Sequence, residues 1–124
     1  MRRRTGTAIG FAALVLAFAP AVPAFAGYGA IAWDKESGKS GWIWDQPTPK
    51  KAEEMALSKC GASSCKVIVH TNAGRCAALA TIATGKFVGA SARKTQDEAR
   101  LAALSDCQKG KAGDCVVRAS GCNK

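Results

Sequence analysis

The stretch TPKKAEEMALSKC, residues 48–60, returns in altered form as TQDEARLAALSDC, residues 95–107. Both stretches begin with threonine, contain Ala-Leu-Ser and end with cysteine, in the same order and spacing. The segment CKVIV follows the first stretch and CVVRA follows the second. The chain therefore contains an internal repeat, with repeat one at about residues 28–72 and repeat two at about residues 76–122.

Each of the two stretches has the features of a helix. Thr48 and Thr95 are N-cap residues, because a threonine hydroxyl accepts a hydrogen bond from a free amide of the first turn. Pro49 suits the first helical position, where an N–H is not needed. Alanine and cysteine recur at four-residue spacing and so share one helical face. These small residues are Ala52, Ala56 and Cys60 in the first helix and Ala99, Ala103 and Cys107 in the second.

Short segments lie before and after both helices. They either alternate apolar and polar residues or are rich in β-branched residues, and both patterns are typical of strands. In order they are YGAIAW (28–33), GWIWDQ (41–46) and KVIVH (66–70), then CAALATI (76–82), KFVGAS (86–91) and CVVRAS (115–120). The unit strand-strand-helix-strand is thus used twice. We predict an α+β fold in which two pseudo-symmetric repeats form one mixed, mainly antiparallel sheet, with both helices packed on one face.

The N-terminal segment has the features of a secretory signal peptide. Arg2, Arg3 and Arg4 precede an apolar run, and Ala24-Phe25-Ala26 matches an A-x-A cleavage pattern. We therefore predict a signal peptide at residues 1–26, cleavage near Ala26 and one secreted domain at residues 27–124. The destination is periplasmic or extracellular, with no stable membrane insertion after the signal is removed. The alternative is a retained N-terminal anchor.

The cysteines fit an exported protein. All six lie after residue 26, and an even number in a small exported chain indicates disulfides. The simplest pairing that respects the repeat ties each helix to the strand after it, which leaves the remaining two cysteines for each other. The predicted pairs are Cys60–Cys65, Cys107–Cys115 and Cys76–Cys122. With one histidine in the chain and no C-x-x-C motif, we expect neither a metal nor another cofactor.

The net charge is +9, and three of the positive charges precede residue 27, so the predicted mature part carries +6. A basic protein favours acidic partners. The lysines and arginines are scattered along the sequence instead of forming a stripe, which argues against nucleic acid.

The tryptophans are the strongest candidates for a binding surface. In a strand Trp42 and Trp44 face the same side, and a hairpin that sets Trp33 opposite Trp42 adds the third ring. At the matching positions repeat two has Thr81, Gly89 and Ser91. A feature present in one half of a duplicated scaffold suggests a functional site. The rings either fill the core or form an exposed platform, and the hypothetical contact surface comprises Trp33, Trp42, Trp44, Lys35 and Lys39.

Catalytic groups are hard to assemble from this sequence. His70 is the one imidazole, and no serine lies in a G-x-S-x-G elbow. Asp34 and Asp45 flank the tryptophans and are the best candidate for the carboxylate pair of a glycan hydrolase. We expect a non-enzymatic binding module. The alternatives are an inhibitor that presents the loop KESGKS (35–40), a hydrolase of envelope glycans and a cationic effector that acts on membranes.

The order and spacing of several segments resemble a bacterial family known as domain of unknown function 4189. The segments are YGAIAW, GWIWDQPTPKKAEEMALSKCG, CKVIV, CAALA and a terminal GC. The resemblance extends from Tyr28 to Cys122 and implies a small exported protein without an assigned activity. The partner that we expect is an unidentified protein or an envelope glycan.

Overall fold

The computed structural model describes residues 27–86, 88–110 and 114–124. The predicted signal peptide lies outside these residues. The elements are β1 (Tyr28–Trp33), β2 (Ser40–Gln46), α1 (Pro49–Cys60), β3 (Lys66–Thr71), β4 (Cys76–Thr81), β5 (Val88–Arg93), α2 (Gln96–Gln108) and β6 (Val116–Cys122). Neither helix in the described part of the chain is long and apolar enough to cross a membrane.

The strands form two antiparallel sheets, with the orders β2-β1-β3 and β5-β4-β6. Helix α1 packs on the first sheet and α2 on the second. The faces that the helices leave open pack against each other through Ile31 of β1 and Leu79 of β4. The molecule therefore has four layers, in the order helix, sheet, sheet, helix.

The α+β class and the duplicated unit are confirmed, but the prediction of one sheet with both helices on one face is wrong. Each central strand is apolar on both faces: Ala30 and Ala32 of β1 contact α1, while Ile31 points to the other sheet. A single sheet covered on one side would leave Ile31 and Leu79 in water, whereas both are fully buried here. Face-to-face packing of the repeats removes that exposure.

The helices begin where the sequence predicts. The Thr48 hydroxyl accepts a hydrogen bond from the Lys51 N–H at 3.1 Å, and the Thr95 hydroxyl accepts one from the Glu98 N–H at 3.2 Å. Gly61 caps the C-terminus of α1 in the left-handed conformation. The alanine and cysteine face of each helix is buried against its sheet.

The three disulfides join Cys60 to Cys65, Cys107 to Cys115 and Cys76 to Cys122, the same pairs that the repeat predicts. The first two lie where each helix leads into the following strand. They are at the end of the sandwich that also carries the β1–β2 and β4–β5 loops, which we call the hairpin end. The third joins β4 to β6 at the opposite end, which we call the terminal end because Gly27 and Lys124 lie there.

Candidate functional site

The hairpin end is built by two loops that contact each other. Gly38 of the β1–β2 loop and Gly85 of the β4–β5 loop both have positive φ values, 73° and 74°. A β-carbon on Gly85 would overlap the backbone of Gly38, and one on Gly38 would overlap the carbonyl oxygen of Thr84. The Trp33 indole donates its Nε1 hydrogen to the Gly85 carbonyl oxygen at 2.6 Å. The two repeats are thus joined at this end by backbone contact and by one tryptophan.

Trp33 lies between two adjoining open grooves at the hairpin end, which we together call the Trp33 groove. Their volumes are about 800 Å³ and about 330 Å³. Strand β3 provides Ile68 on one side and β5 provides Val88 on the other. The exposed charged side chains that line the groove are Lys35, Glu36, Lys66 and Lys86, and the buried Asp34 also lines it. The groove combines an apolar surface with a rim that is mainly positive.

One wall of the groove is fixed by a buried carboxylate. Asp34 is 2% exposed and accepts hydrogen bonds from the Ser37 hydroxyl at 2.5 Å and the Ser64 hydroxyl at 2.9 Å. It also accepts from the N–H groups of Glu36 and Ser37, each at 3.2 Å. The Ser37 hydroxyl lowers the pKa of Asp34 most; burial opposes this effect, and Ser64 and the two amides add to it. These contacts hold the β1–β2 loop in one conformation.

The other two tryptophans lie elsewhere. Trp42 and Trp44 pack between the sheets, half-buried. The Trp44 ring covers the backbone of Gly29 and Gly121, where β-carbons would overlap it. Trp44 therefore contributes to the interior that joins β2 to β6, in agreement with the core-packing alternative for this residue.

The predicted pairing of Trp33 with Trp42 is wrong, although all three rings belong to strand faces directed toward the other sheet. Trp33 pairs with Ser40, and Trp42 pairs with Ile31. The six loop residues between Trp33 and Ser40 set this register, because loop length determines which residues of a hairpin oppose each other. The rings are consequently spread along the sheet instead of forming one cluster.

Two of the three equivalent positions in repeat two differ from the prediction. Gly41 pairs with Ala32 and Gly89 pairs with Ala80, so these glycines are equivalent. The counterparts of Trp42 and Trp44 are then Ala90 and Ala92 instead of Gly89 and Ser91. The counterpart of Trp33 is Thr81, as predicted.

Of the two lysines predicted for the contact surface, one lines the groove and the other does not. Lys35 lines the Trp33 groove. Lys39 has an exposed side chain outside the set of residues that line the groove, and its carbonyl oxygen accepts the Asp34 N–H at 2.8 Å. Sequence reasoning missed Lys66, Lys86, Ile68 and Val88, which reach the groove through tertiary packing. The repeated Gly-Lys pair at 38–39 and 85–86 is the signal that could have indicated Lys86.

Asp34 and Asp45 do not form a carboxylate pair. Asp34 follows β1 at the hairpin end, whereas Asp45 precedes Gln46, which pairs with Tyr28 at the terminal end. A strand of that length separates them by roughly 15–20 Å, beyond the spacing of a glycosidase pair. Asp45 instead accepts a hydrogen bond from the Lys124 N–H at 2.7 Å. The hypothesis of a hydrolase that uses these two residues is therefore wrong.

The remaining candidate groups are on the surface. His70 is exposed and its Nε2 lies 2.5 Å from Oε1 of Glu53 on α1. Within residues 27–86, 88–110 and 114–124, no three His, Cys, Asp or Glu side chains come together as a metal site requires.

The fold is a duplicated α+β domain that three disulfides cross-link. At one end it has an open groove lined by Trp33 and by mainly positive side chains. Residues 28–122 match the model of a domain of unknown function, DUF4189, and the chain belongs to this family. An NMR structure of Rv1813c from Mycobacterium tuberculosis is similar, with a TM-score of 0.59 and 32% identity over 82% of this chain and 79% of that one.

Two curated mycobacterial proteins share part of the sequence. The uncharacterized protein Rv1813c is 48% identical over 59 residues, which are 48% of this chain and 39% of that protein. Protein Rv1269c of the same organism is 46% identical over 55 residues, 43% of this chain and 40% of that protein. The chain thus spans about two fifths of the length of the curated relatives that it matches.

Proposed function

We propose that this protein is an exported, non-catalytic binding module and that the Trp33 groove is its contact surface. The observation that carries the proposal is the different placement of the three tryptophans. Trp42 and Trp44 pack against the cluster between the sheets, and Trp42 also borders a smaller cleft of about 260 Å³. Trp33 lies between the two larger grooves, beside four exposed charged side chains. An aromatic ring in an open groove suits recognition, since tryptophan contributes much of the binding energy at protein surfaces.

The groove is pre-organised, which favours a binding role. The indole N–H of Trp33 is already satisfied by Gly85, so the ring is held in place and its exposed face remains for an apolar contact. Asp34 orders the neighbouring loop through hydrogen bonds from two segments of the chain. A surface that is rigid before binding loses less conformational entropy when a partner binds.

Export is supported by the cysteines. The structure has three disulfides, and the described residues contain no free cysteine. Disulfides persist in oxidising compartments such as the periplasm and the extracellular space. Their presence agrees with the signal peptide proposed at residues 1–26.

Partner capture from envelope and culture fractions tests the contact surface. The protein and its Trp33→Ala variant are immobilised, and the retained molecules are identified by mass spectrometry. Leu101→Ala is the matched control, because Leu101 is 68% exposed on α2 and its loss also removes a large apolar side chain. We expect Trp33→Ala to lose a partner that Leu101→Ala keeps.

The capture experiment requires that both variants remain folded, which circular dichroism and the NMR spectrum establish. If Trp33→Ala unfolds, the charge reversal Lys86→Glu replaces it, because that side chain is exposed at the groove. Equal retention by the folded groove variant and by the control would contradict the proposed contact surface.

The order of the β1–β2 loop favours a second candidate, an inhibitor of a secreted enzyme. Asp34 fixes a loop in which Lys35, Glu36 and Ser37 are exposed. Rigid exposed loops of this kind resist cleavage when a protease binds them. A protease that accepts lysine in its specificity pocket should be inhibited by the protein and not by Lys35→Ala. Rapid cleavage after Lys35 would exclude this candidate.

A further inference from the structure

The geometry points to an acidic peptide segment of a partner protein as the occupant of the Trp33 groove. We infer that a large apolar side chain of this segment lies on Trp33, and that carboxylates beside it pair with Lys35, Lys66 and Lys86. This inference rests on the proposed function and adds the chemistry of the partner.

The floor of the groove requires an apolar group. Trp33, Ile68 and Val88 come from three different strands and meet at the mouth between the two sheets. Since the Nε1 hydrogen of Trp33 is donated to Gly85, the ring offers mainly its apolar face. Contact with a leucine or aromatic side chain would remove this surface from water.

The corresponding place in repeat two shows that this floor is not a requirement of the fold. Thr81 is the counterpart of Trp33, and Arg118 is the counterpart of Ile68 in the strand pairing. There the Arg118 guanidinium donates to the Thr81 hydroxyl at 3.1 Å. A polar pair thus occupies the position that is apolar in repeat one, while the surrounding scaffold is the same.

The rim of the groove requires negative charge on the partner. Lys35, Lys66 and Lys86 are exposed and stand against one exposed carboxylate, that of Glu36. Asp34 also lines the groove, but its two oxygens accept hydrogen bonds from Ser37, Ser64 and the loop amides. Three positive charges thus stand against two negative ones, and the negative charge of Asp34 is buried and engaged by its donors. The net positive rim attracts and orients an acidic partner.

The strands beside the groove favour a peptide over an acidic glycan. Both β3 and β5 are edge strands of their sheets, and an edge strand has a row of backbone N–H and C=O groups directed outward. An extended peptide can pair with such an edge while its side chains enter adjacent pockets. A sugar polymer would stack on Trp33 but would use neither the edge nor the aliphatic surface of Ile68 and Val88.

Titration with synthetic probes tests this inference. The test peptide has one leucine flanked on both sides by aspartates, and the control peptide has lysines in place of the aspartates. Binding is followed by fluorescence anisotropy, and the site by NMR shifts of the Trp33 indole and the groove amides. We expect the acidic peptide to shift these signals, with weaker binding as ionic strength rises.

A triple variant at the rim measures the charge contribution. Lys35→Gln, Lys66→Gln and Lys86→Gln together should weaken binding of the acidic peptide about ten-fold, since three modest ion pairs are lost. The control removes three lysines that lie away from the groove, Lys50→Gln, Lys51→Gln and Lys94→Gln. Both variants change only exposed side chains, and equal loss of affinity in the two would overturn the inference.

Two further probes separate this inference from the proposed function. If an oligosaccharide of uronic acids, or vesicles of anionic lipid, shift the groove signals and the acidic peptide does not, the peptide assignment is overturned and the groove remains a binding site. The assignment also fails if no probe shifts the groove while partner capture still depends on Trp33. Capture that is independent of Trp33 overturns the proposed function itself.

Discussion

Asp34 is the residue on which the shape of the groove depends most directly. A buried carboxylate is costly unless it is hydrogen-bonded, and Asp34 meets this condition with two hydroxyl and two amide donors. One donor, Ser64, belongs to the loop between α1 and β3, so the carboxylate connects two segments that both line the groove. The Asp34 side chain therefore contributes both to the stability of the fold and to the fixed shape of the groove.

The stability contributed by Asp34 depends on pH in a defined direction. Because hydrogen bonds lower its pKa in the folded protein below the ordinary value of 3.8, the ionised form stabilises the fold above that pH. The contribution is lost as the pH falls through the lowered folded pKa. We expect Asp34→Asn to reduce the free energy of unfolding by a constant amount from neutral pH to about pH 4, and by less at lower pH.

Urea denaturation over this pH range measures the difference between the protein and Asp34→Asn. The exposed Asp106 of α2 provides the control, since Asp106→Asn changes the same charge without removing such contacts. A gap between the protein and Asp34→Asn that widens on acidification would show that the ionised form is not the one the fold stabilises.

At the scale of elements, each helix approaches its sheet at a glycine. Gly41 of β2 lies against the last turn of α1, and Gly89 of β5 lies against the last turn of α2. A β-carbon at Gly41 would overlap backbone atoms of Ala56 and Cys60, and one at Gly89 would overlap those of Ala103 and Cys107. The helix face made of alanine and cysteine and the glycine of the strand together allow a close helix–sheet contact in both repeats.

Gly41→Ala should therefore destabilise the protein by about 2 kcal/mol, because a rigid helix backbone must shift to accept the added methyl group. Ser58→Ala, on the exposed side of the same helix, should change stability by less than about 0.5 kcal/mol. Thermal and urea unfolding of the two variants test this difference. Similar stabilities would mean that α1 can move away from β2 at little cost.

The elements could be predicted from the sequence because their signals are local. Threonine caps, the four-residue spacing of alanines and the β-branched segments each act within one turn or one strand. The number of sheets could not be predicted in this way. Ile31 and Leu79 lie in strands where the residues on either side of them are also apolar. A strand that is apolar on both faces does not indicate whether the two repeats meet edge to edge or face to face.

The candidate site was predictable only in part for the same reason. Trp33 ends β1 and Lys35 lies in the loop that follows, so both were candidates from the sequence and both line the groove. Trp42 and Trp44 are tryptophans in the same hairpin, but the register of β2 against β1 packs them, half-buried, against the cluster between the sheets. Lys66 and Ile68 reach the groove because β3 returns beside β1, a tertiary contact without a local pattern.

At the scale of the whole molecule, the C-terminus joins the two repeats at the terminal end. Asn123 is buried, and its side-chain amide donates to the Thr71 hydroxyl at 2.6 Å and to the Asn72 carbonyl oxygen at 3.2 Å. Its side-chain oxygen accepts the Asp45 N–H at 3.0 Å. These partners all belong to repeat one, so the residues that follow repeat two close the terminal end as the contact between the two hairpin loops closes the hairpin end.

The Cys76–Cys122 disulfide holds this closing residue in place and should contribute most to stability among the three bridges. It spans a sequence separation of 46, against 5 for Cys60–Cys65. In the chain-entropy description, loss of the longer bridge costs about 4 kcal/mol and loss of the shorter one about 2 kcal/mol. Each bridge is replaced by two serines, and urea denaturation without reductant measures both variants. If removal of Cys76–Cys122 costs no more than removal of Cys60–Cys65, the chain end is held by Asn123 and its neighbours without help from the disulfide.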